Sequence, residues 1–224
     1  MIYNRSFLPS MPPVVKNLII LNVIMFIITS LTGNFMYEKF ALFYFDSPFF
    51  KPYQLVSHMF MHGGFTHILF NMYSLFIFGS VLERVWGGQK FLFYYFATGL
   101  GAAALHLGVM YLELIPLNNA LQMGDLAARV GIQQIHMTPT VGASGAIYGL
   151  LLAYGMLFPN NVMQLIFPPV AIKAKYLVII FGALELFLGL SNSGGSVAHF
   201  AHLGGMILGY ILITYWKKNN RMYY

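Results

Sequence analysis

Cysteine is absent, which excludes disulfides, thiolate metal sites and cysteine nucleophiles together. Charge is nearly as scarce: Asp, Glu, Lys and Arg make up 8% of 224 residues, and only six residues are acidic. A soluble chain of this length cannot expose so little charge and stay dissolved, so the protein belongs in a lipid bilayer. No internal repeat, low-complexity tract or second domain is visible, and no inverted repeat of the transporter kind. What fills the sequence instead is apolar: 58% hydrophobic and 17% aromatic residues, with a mean hydropathy of +0.70. Aromatic residues are expected where rings sit at headgroup level. The net charge of +6 comes from basic residues scattered around apolar spans, which reads as loop anchoring rather than a nucleic-acid surface.

The hydrophobic pattern predicts an all-α membrane protein of six spans, at about 15–32, 65–84, 90–112, 141–158, 174–191 and 197–216, in one domain covering 1–224. The residues after the first span, Thr29-Ser30-Leu31-Thr32-Gly33, lack a small-x-small cleavage pattern, so a retained first helix is expected rather than a signal peptide. With both termini cytoplasmic, the inner side carries Arg5, Lys16, Arg84, Lys90, Lys173, Lys175, Lys217, Lys218 and Arg221, against Lys39, Lys51 and Arg129 outside. That asymmetry sets the expected orientation. The first outer loop, 33–64, is rich in aromatics and proline and is expected to lie in the interface. No presequence is evident, and a bacterial plasma membrane is the expected location.

The even-numbered spans enter from the outside, and each carries polar residues near its start. His67 and Asn71 lie on the second, Ser144 on the fourth and His202 on the sixth. At 1.5 Å per residue all sit roughly 5–10 Å below the outer boundary. Buried polar side chains in a membrane face the bundle interior and mark functional sites. His67 and Asn71 share one helical face by their spacing, as do Ser144 and Tyr148. Gly142, Gly145 and Gly149 flank Ser144, and Gly205 and Gly209 follow His202 at a close-packing interval. Glycines alone let backbones approach; here the approach brings a hydroxyl and an imidazole within reach, the requirement for an activated nucleophile. In this reading His67, Asn71 and the backbone N–H of Ser144 are candidate oxyanion donors, and Tyr148 a candidate ring to pack on His202. No acid lies near His202 in sequence, so no third member of a triad is assigned. The polar loop Ser191-Asn192-Ser193-Gly194-Gly195-Ser196 is a candidate mobile cap.

The motifs His62-Gly63-Gly64-Phe65-Thr66-His67-Ile68-Leu69-Phe70-Asn71, Glu83-Arg84 followed by Trp86-Gly87, Gly142-Ala143-Ser144-Gly145 with Tyr148, and Ala201-His202-Leu203-Gly204-Gly205 with Gly209 occur in that order. With them the chain resembles the rhomboid intramembrane serine proteases over almost its whole length. The resemblance implies a six-helix bundle with an outward-opening, water-filled cavity. It also implies Ser144 as nucleophile, His202 as general base, His67 and Asn71 in the oxyanion hole and Tyr148 stacked on His202. The implied substrates are transmembrane segments of other membrane proteins, cut near the outer face, with no metal or organic cofactor. One departure stands out: many members carry Trp-Arg in the first outer loop where this chain has Tyr53-Gln54, which puts that loop's anchoring in question. The outer loop at 113–140 has no assigned role.

Other polar residues admit blander readings. His58, His62 and His67 invite a metal site, but Gly63-Gly64 interrupts them and neither cysteine nor acid joins the cluster. His199 reads as a loop or interface residue. Glu185, the sole acid in a span interior, reads as a hydrogen-bonded residue facing the bundle or as a gating element; a transporter should show a chain of such acids. Glu83 and Arg84 read as structural, holding the cytoplasmic loop. Oligomeric state and substrate identity leave no trace in the sequence.

Overall fold

The computed structural model describes residues 11–165, 169–191, 196–219 and 221, with the backbone alone at 196 and 197. Arg5 of the basic set and residues 192–195 of the candidate cap lie outside the described residues. The chain is built from α1 (Pro13–Thr32), α2 (Asn34–Phe40), α3 (Gln54–Ser57), α4 (Phe65–Ser74), α5 (Ser80–Trp86), α6 (Gly88–Gln122), α7 (Ala128–Met137), α8 (Ser144–Leu157), α9 (Ala174–Leu190) and α10 (Ser196–Lys218). A π-helical turn, Leu75–Gly79, joins α4 to α5. Four segments are long and apolar enough to cross a membrane: Pro13–Thr32, Phe65–Trp86, Gly88–Gln122 and Ala198–Lys218. α8 and α9, at 14 and 17 residues, are shorter.

Two features depart from an all-α chain with six even spans. A small antiparallel hairpin, β1 (Val162–Gln164) and β2 (Ala171–Lys173), joins α8 to α9, with Met163 opposite Ile172. β-Branched and long apolar residues at its alternating positions favour strand over helix across so short a connection. The third span does not end near 112 but runs on as α6 to Gln122. The segment expected to be an outer loop at 113–140 is therefore largely helical, with α7 packing back on α6.

Local chemistry sets the helix ends. Pro13 opens α1, a position where its missing N–H costs nothing. The next two N–H groups, of Val14 and Val15, donate to the Glu83 carboxylate at 2.9 and 2.8 Å. Glu83 thus satisfies the orphan donors of α1 and complements its positive end. Gly87, at φ +76°, turns the chain from α5 into α6.

α6, α8 and α10 form a central seam of small residues. A Cβ at Gly205 would stand 1.9 Å from the carbonyl oxygen of Gly145, one at Gly145 2.3 Å from Ala102 Cβ, and one at Gly204 2.7 Å from the Gly101 carbonyl oxygen. Tyr94, fully buried, donates its hydroxyl to the carbonyl oxygen of Gly149 at 2.9 Å.

A second, smaller core lies at the Ser144 end of the bundle. Leu42 and Tyr44 pack against Ala103, Leu107, Met110 and Leu114 of α6. Leu42 and Thr140 exchange backbone hydrogen bonds at 2.9 and 2.8 Å, which pins the first loop to the segment before α8. Gln54 anchors that first loop. It is fully buried, its amide nitrogen donates to the carbonyls of Phe49, Lys39 and Glu38 at 2.9, 3.2 and 3.3 Å, and its oxygen accepts the Lys51 N–H at 3.1 Å. The anchoring that Tyr53-Gln54 put in question is supplied by the glutamine itself.

Candidate active site

Ser144 is the first residue of α8, where helix N–H groups lack intrahelical partners and the dipole favours negative charge. The turn into it needs glycine: Gly142 sits at φ +132°, and a Cβ there would lie 2.9 Å from His67 Nε2 and 3.5 Å from Ser144 Oγ. Its N–H donates to the His58 carbonyl at 3.0 Å, so the first loop holds the serine's approach in place. His58 is itself held through Nδ1, 2.8 Å from the Gln54 carbonyl oxygen. Burial pushes the His58 and His62 imidazoles down to about 4, so both stay neutral in the folded protein.

The seam brings α10 against α8, and with it His202 against Ser144. His202 Nε2 lies 2.8 Å from Ser144 Oγ. The Tyr148 ring stacks on the His202 ring at 4.3 Å between centroids and 7° between planes. His67 is on the opposite wall, with Nδ1 3.4 Å from the Gly63 N–H. With Nδ1 accepting, the ring's own proton sits on Nε2, which faces Gly142. Asn71 is buried and its amide nitrogen has no hydrogen-bond partner among the described residues, a donor left spare. A cavity of about 190 Å³ is lined by His67, Gly142, Ser144 and His202 together with residues of α6, enough for several waters. Asn71 and Tyr148 do not line it.

The geometry, then, joins Ser144, His202, Tyr148 and His67, and leaves Asn71 one helical turn behind His67. Residues 50–219 match the sequence profile of the Rhomboid domain. The chain belongs to the rhomboid family. It is 31% identical over 159 residues to the rhomboid protease AarA of Providencia stuartii, covering 69% of this chain and 52% of that protein. Identity is 29% over 175 residues with the putative rhomboid protease YdcA of Bacillus subtilis, covering 75% and 70% of the two. With the mitochondrial RHOMBOID-like protein 12 of Arabidopsis thaliana it is 28% over 197 residues, covering 86% and 55%. The chain thus spans about half the length of two of these relatives, and they come from organelles as well as bacteria, so they do not support the bacterial plasma membrane in particular.

In this rhomboid chain the sequence reading missed one partner. Glu185 of α9 is buried, and its Oε2 lies 3.0 Å from His202 Nδ1 and 2.6 Å from His199 Nδ1. Its Oε1 accepts the Tyr148 hydroxyl. An acid does face His202, and His199 faces that acid rather than a loop. The signal was faint: Glu185 and His202 lie 17 positions apart on two consecutive helices that pack on each other. Glu185, His199 and His202 are also the one group among the described residues with donor atoms close enough to share a metal, within 4.8 Å of one another. The 2.6 Å between Oε2 and His199 Nδ1 is a hydrogen-bond length, well under the roughly 3.3 Å between donors that zinc bonds of about 2.0–2.1 Å impose in a tetrahedron.

Proposed function

We propose that this chain is an intramembrane serine endopeptidase that cuts transmembrane segments of other membrane proteins near the outer face, as a single rhomboid-type domain of six spans with both termini cytoplasmic. The observation that carries the reading is the 2.8 Å approach of His202 Nε2 to Ser144 Oγ at the start of α8. The length of α8 supports the depth of that site. Fourteen residues make about 21 Å of helix, short of the roughly 30 Å hydrocarbon core, so Ser144 starts below the surface. Non-helical backbone at that depth is tolerated because α6, α10 and the cavity surround it.

The chemistry follows from the contacts. The Ser144 Oγ–H proton passes to His202 Nε2 as Oγ bonds to the scissile carbonyl carbon. The carbonyl oxygen becomes an oxyanion, met by the Ser144 N–H at the α8 N-terminus and by His67 Nε2–H, with Asn71 as a further donor. The C–N bond then breaks as His202 Nε2–H gives its proton to the leaving amine, and water repeats the sequence to release the acyl group. The stacked Tyr148 ring holds the imidazole plane throughout.

The test is purified protein in detergent with a model transmembrane substrate and a serine-reactive fluorophosphonate. Wild type should cleave and label. Ser144→Ala should do neither, His202→Ala should not cleave, and the double variant should be little worse than either single one, since the pair acts as a unit. Near-normal cleavage by Ser144→Ala, free of contaminating protease, would refute the reading. A relative that binds without cutting would give no cleavage by wild type and substrate binding unaffected by either substitution.

A further inference from the structure

We infer that Glu185 is a positioning residue for His202, so that this chain works as a Ser144–His202–Glu185 relay whose third member is delivered by α9. The inference rests on the serine-protease reading above. Ser144 Oγ, His202 Nε2, His202 Nδ1 and Glu185 Oε2 follow one another in space, with 2.8 Å at the serine end and 3.0 Å at the acid end. A carboxylate beside Nδ1 keeps the ring proton there and leaves the Nε2 lone pair facing Ser144. It also stabilises the imidazolium formed during attack without itself taking a proton.

Two further observations separate this role from a merely buried acid. The groups facing Glu185 are the two imidazoles on α10 and the Tyr148 hydroxyl on α8. Acids inside a membrane bundle are costly and rare, and two of these contacts, with His202 and Tyr148, lead to the site. Tyr148 serves twice: its ring stacks on His202 while its hydroxyl fixes Oε1, which leaves Oε2 for the histidines. In the resting arrangement Oε2 leans toward His199 at 2.6 Å, and His202 Nδ1 makes no aligned hydrogen bond. Catalytic hydrogen bonds of unliganded sites are commonly loose and tighten when substrate binds. A small rotation of the carboxylate completes the relay.

The experiment compares wild type, Glu185→Gln, Glu185→Asp and Tyr148→Phe on a model transmembrane substrate across pH, with fluorophosphonate labelling and thermal stability measured in parallel. Glu185→Gln keeps the shape but loses the charge. It should lower kcat by about 10- to 1000-fold with little change in KM, and move the acid limb of kcat to lower pH, because the imidazolium loses its counter-charge. Glu185→Asp, which keeps the charge, should hold the limb near its wild-type position and recover part of kcat. A purely structural Glu185 would change folded fraction and stability but not the limb. If Glu185→Gln does not fold, Tyr148→Phe decides: with the ring kept and the bond to Oε1 lost, kcat should fall about 3- to 10-fold. A Glu185→Gln enzyme with kcat within two-fold of wild type and an unmoved acid limb overturns the inference, as does an unchanged Tyr148→Phe when the glutamine variant cannot be made. Wild type that neither cleaves nor labels would instead refute the protease reading.

Discussion

The seam of α6, α8 and α10 and the cap formed by the first loop with α7 hold the same serine by opposite means. In the seam, side chains are removed: Gly145, Gly204 and Gly205 let backbone touch backbone, and the Ser144–His202 distance is fixed by how closely two helices approach. In the cap, side chains are added. Gln54 ties three carbonyls and one N–H together, and Tyr44 stacks on His136 at 5.4 Å. A seam of missing atoms has no slack, because nothing can rotate aside. A cap of hydrogen-bonded side chains can yield one contact at a time. The register of the chemistry and access to it are thus built from materials of different stiffness.

The largest expected effect is in the seam. A Cβ at Gly205 would stand 1.9 Å from a backbone oxygen, so α8 and α10 must part by an ångström or more. Misplacement of that size costs on the order of 100-fold in rate. Gly205→Ala should fall at least that far, and Gly205→Val should be inactive and less stable, measured as turnover and thermal midpoint. At Gly209 the nearest obstacle is the Tyr94 hydroxyl at 2.4 Å, a side chain, so Gly209→Ala should be milder. A small loss at Gly205 would erase the distinction between seam and cap.

The middle-sized effect belongs to Asn71. Its spare, buried amide nitrogen predicts that Asn71→Ala lowers kcat by roughly 10- to 1000-fold while leaving folding and substrate binding nearly unchanged. An unaltered kcat would leave oxyanion donation to His67 and the α8 backbone.

The smallest effect is a pH dependence of the cap. His58 is held near 4 when folded by burial, against about 6.5 when unfolded. The unfolded chain therefore binds the extra proton first: stability is full above about pH 6.5 and falls as pH drops toward 4, by up to about 3 kcal/mol. His58→Gln should remove that share of the decline in a thermal or denaturant titration and leave the share owed to His62, at some cost in stability at neutral pH. Rates at neutral pH should change little compared with Gly205→Ala.

Much of the seam was legible in the sequence, because glycine intervals and the depth of a residue along a helix are local quantities. Ser144, His202, Tyr148 and His67 come together as those intervals suggest. Six spans do not follow from length alone, since four segments are long enough to cross a membrane and α8 and α9 are shorter. The cap was barely legible. Gln54 binds carbonyls of residues 38, 39 and 49, a pattern without periodicity, and it occupies a position where a different pair was expected. Glu185 escaped for a related reason: its partner is 17 positions away, on the next helix, where no spacing rule applies. The extension of α6 was hidden by Pro116, which reads as a stop in sequence yet sits inside the helix.

That proline also bears on how α6 meets water. At 1.5 Å per residue the 35 residues of α6 reach about 52 Å, some 20 Å beyond a hydrocarbon core of about 30 Å. Pro116 has no N–H for the carbonyl one turn back, that of Leu112. In hydrocarbon such an orphaned oxygen would cost several kcal/mol; in the surplus length, water can take its place. The surplus length of α6 is therefore best spent at its Pro116 end, where water can pair with the Leu112 carbonyl that the proline leaves open.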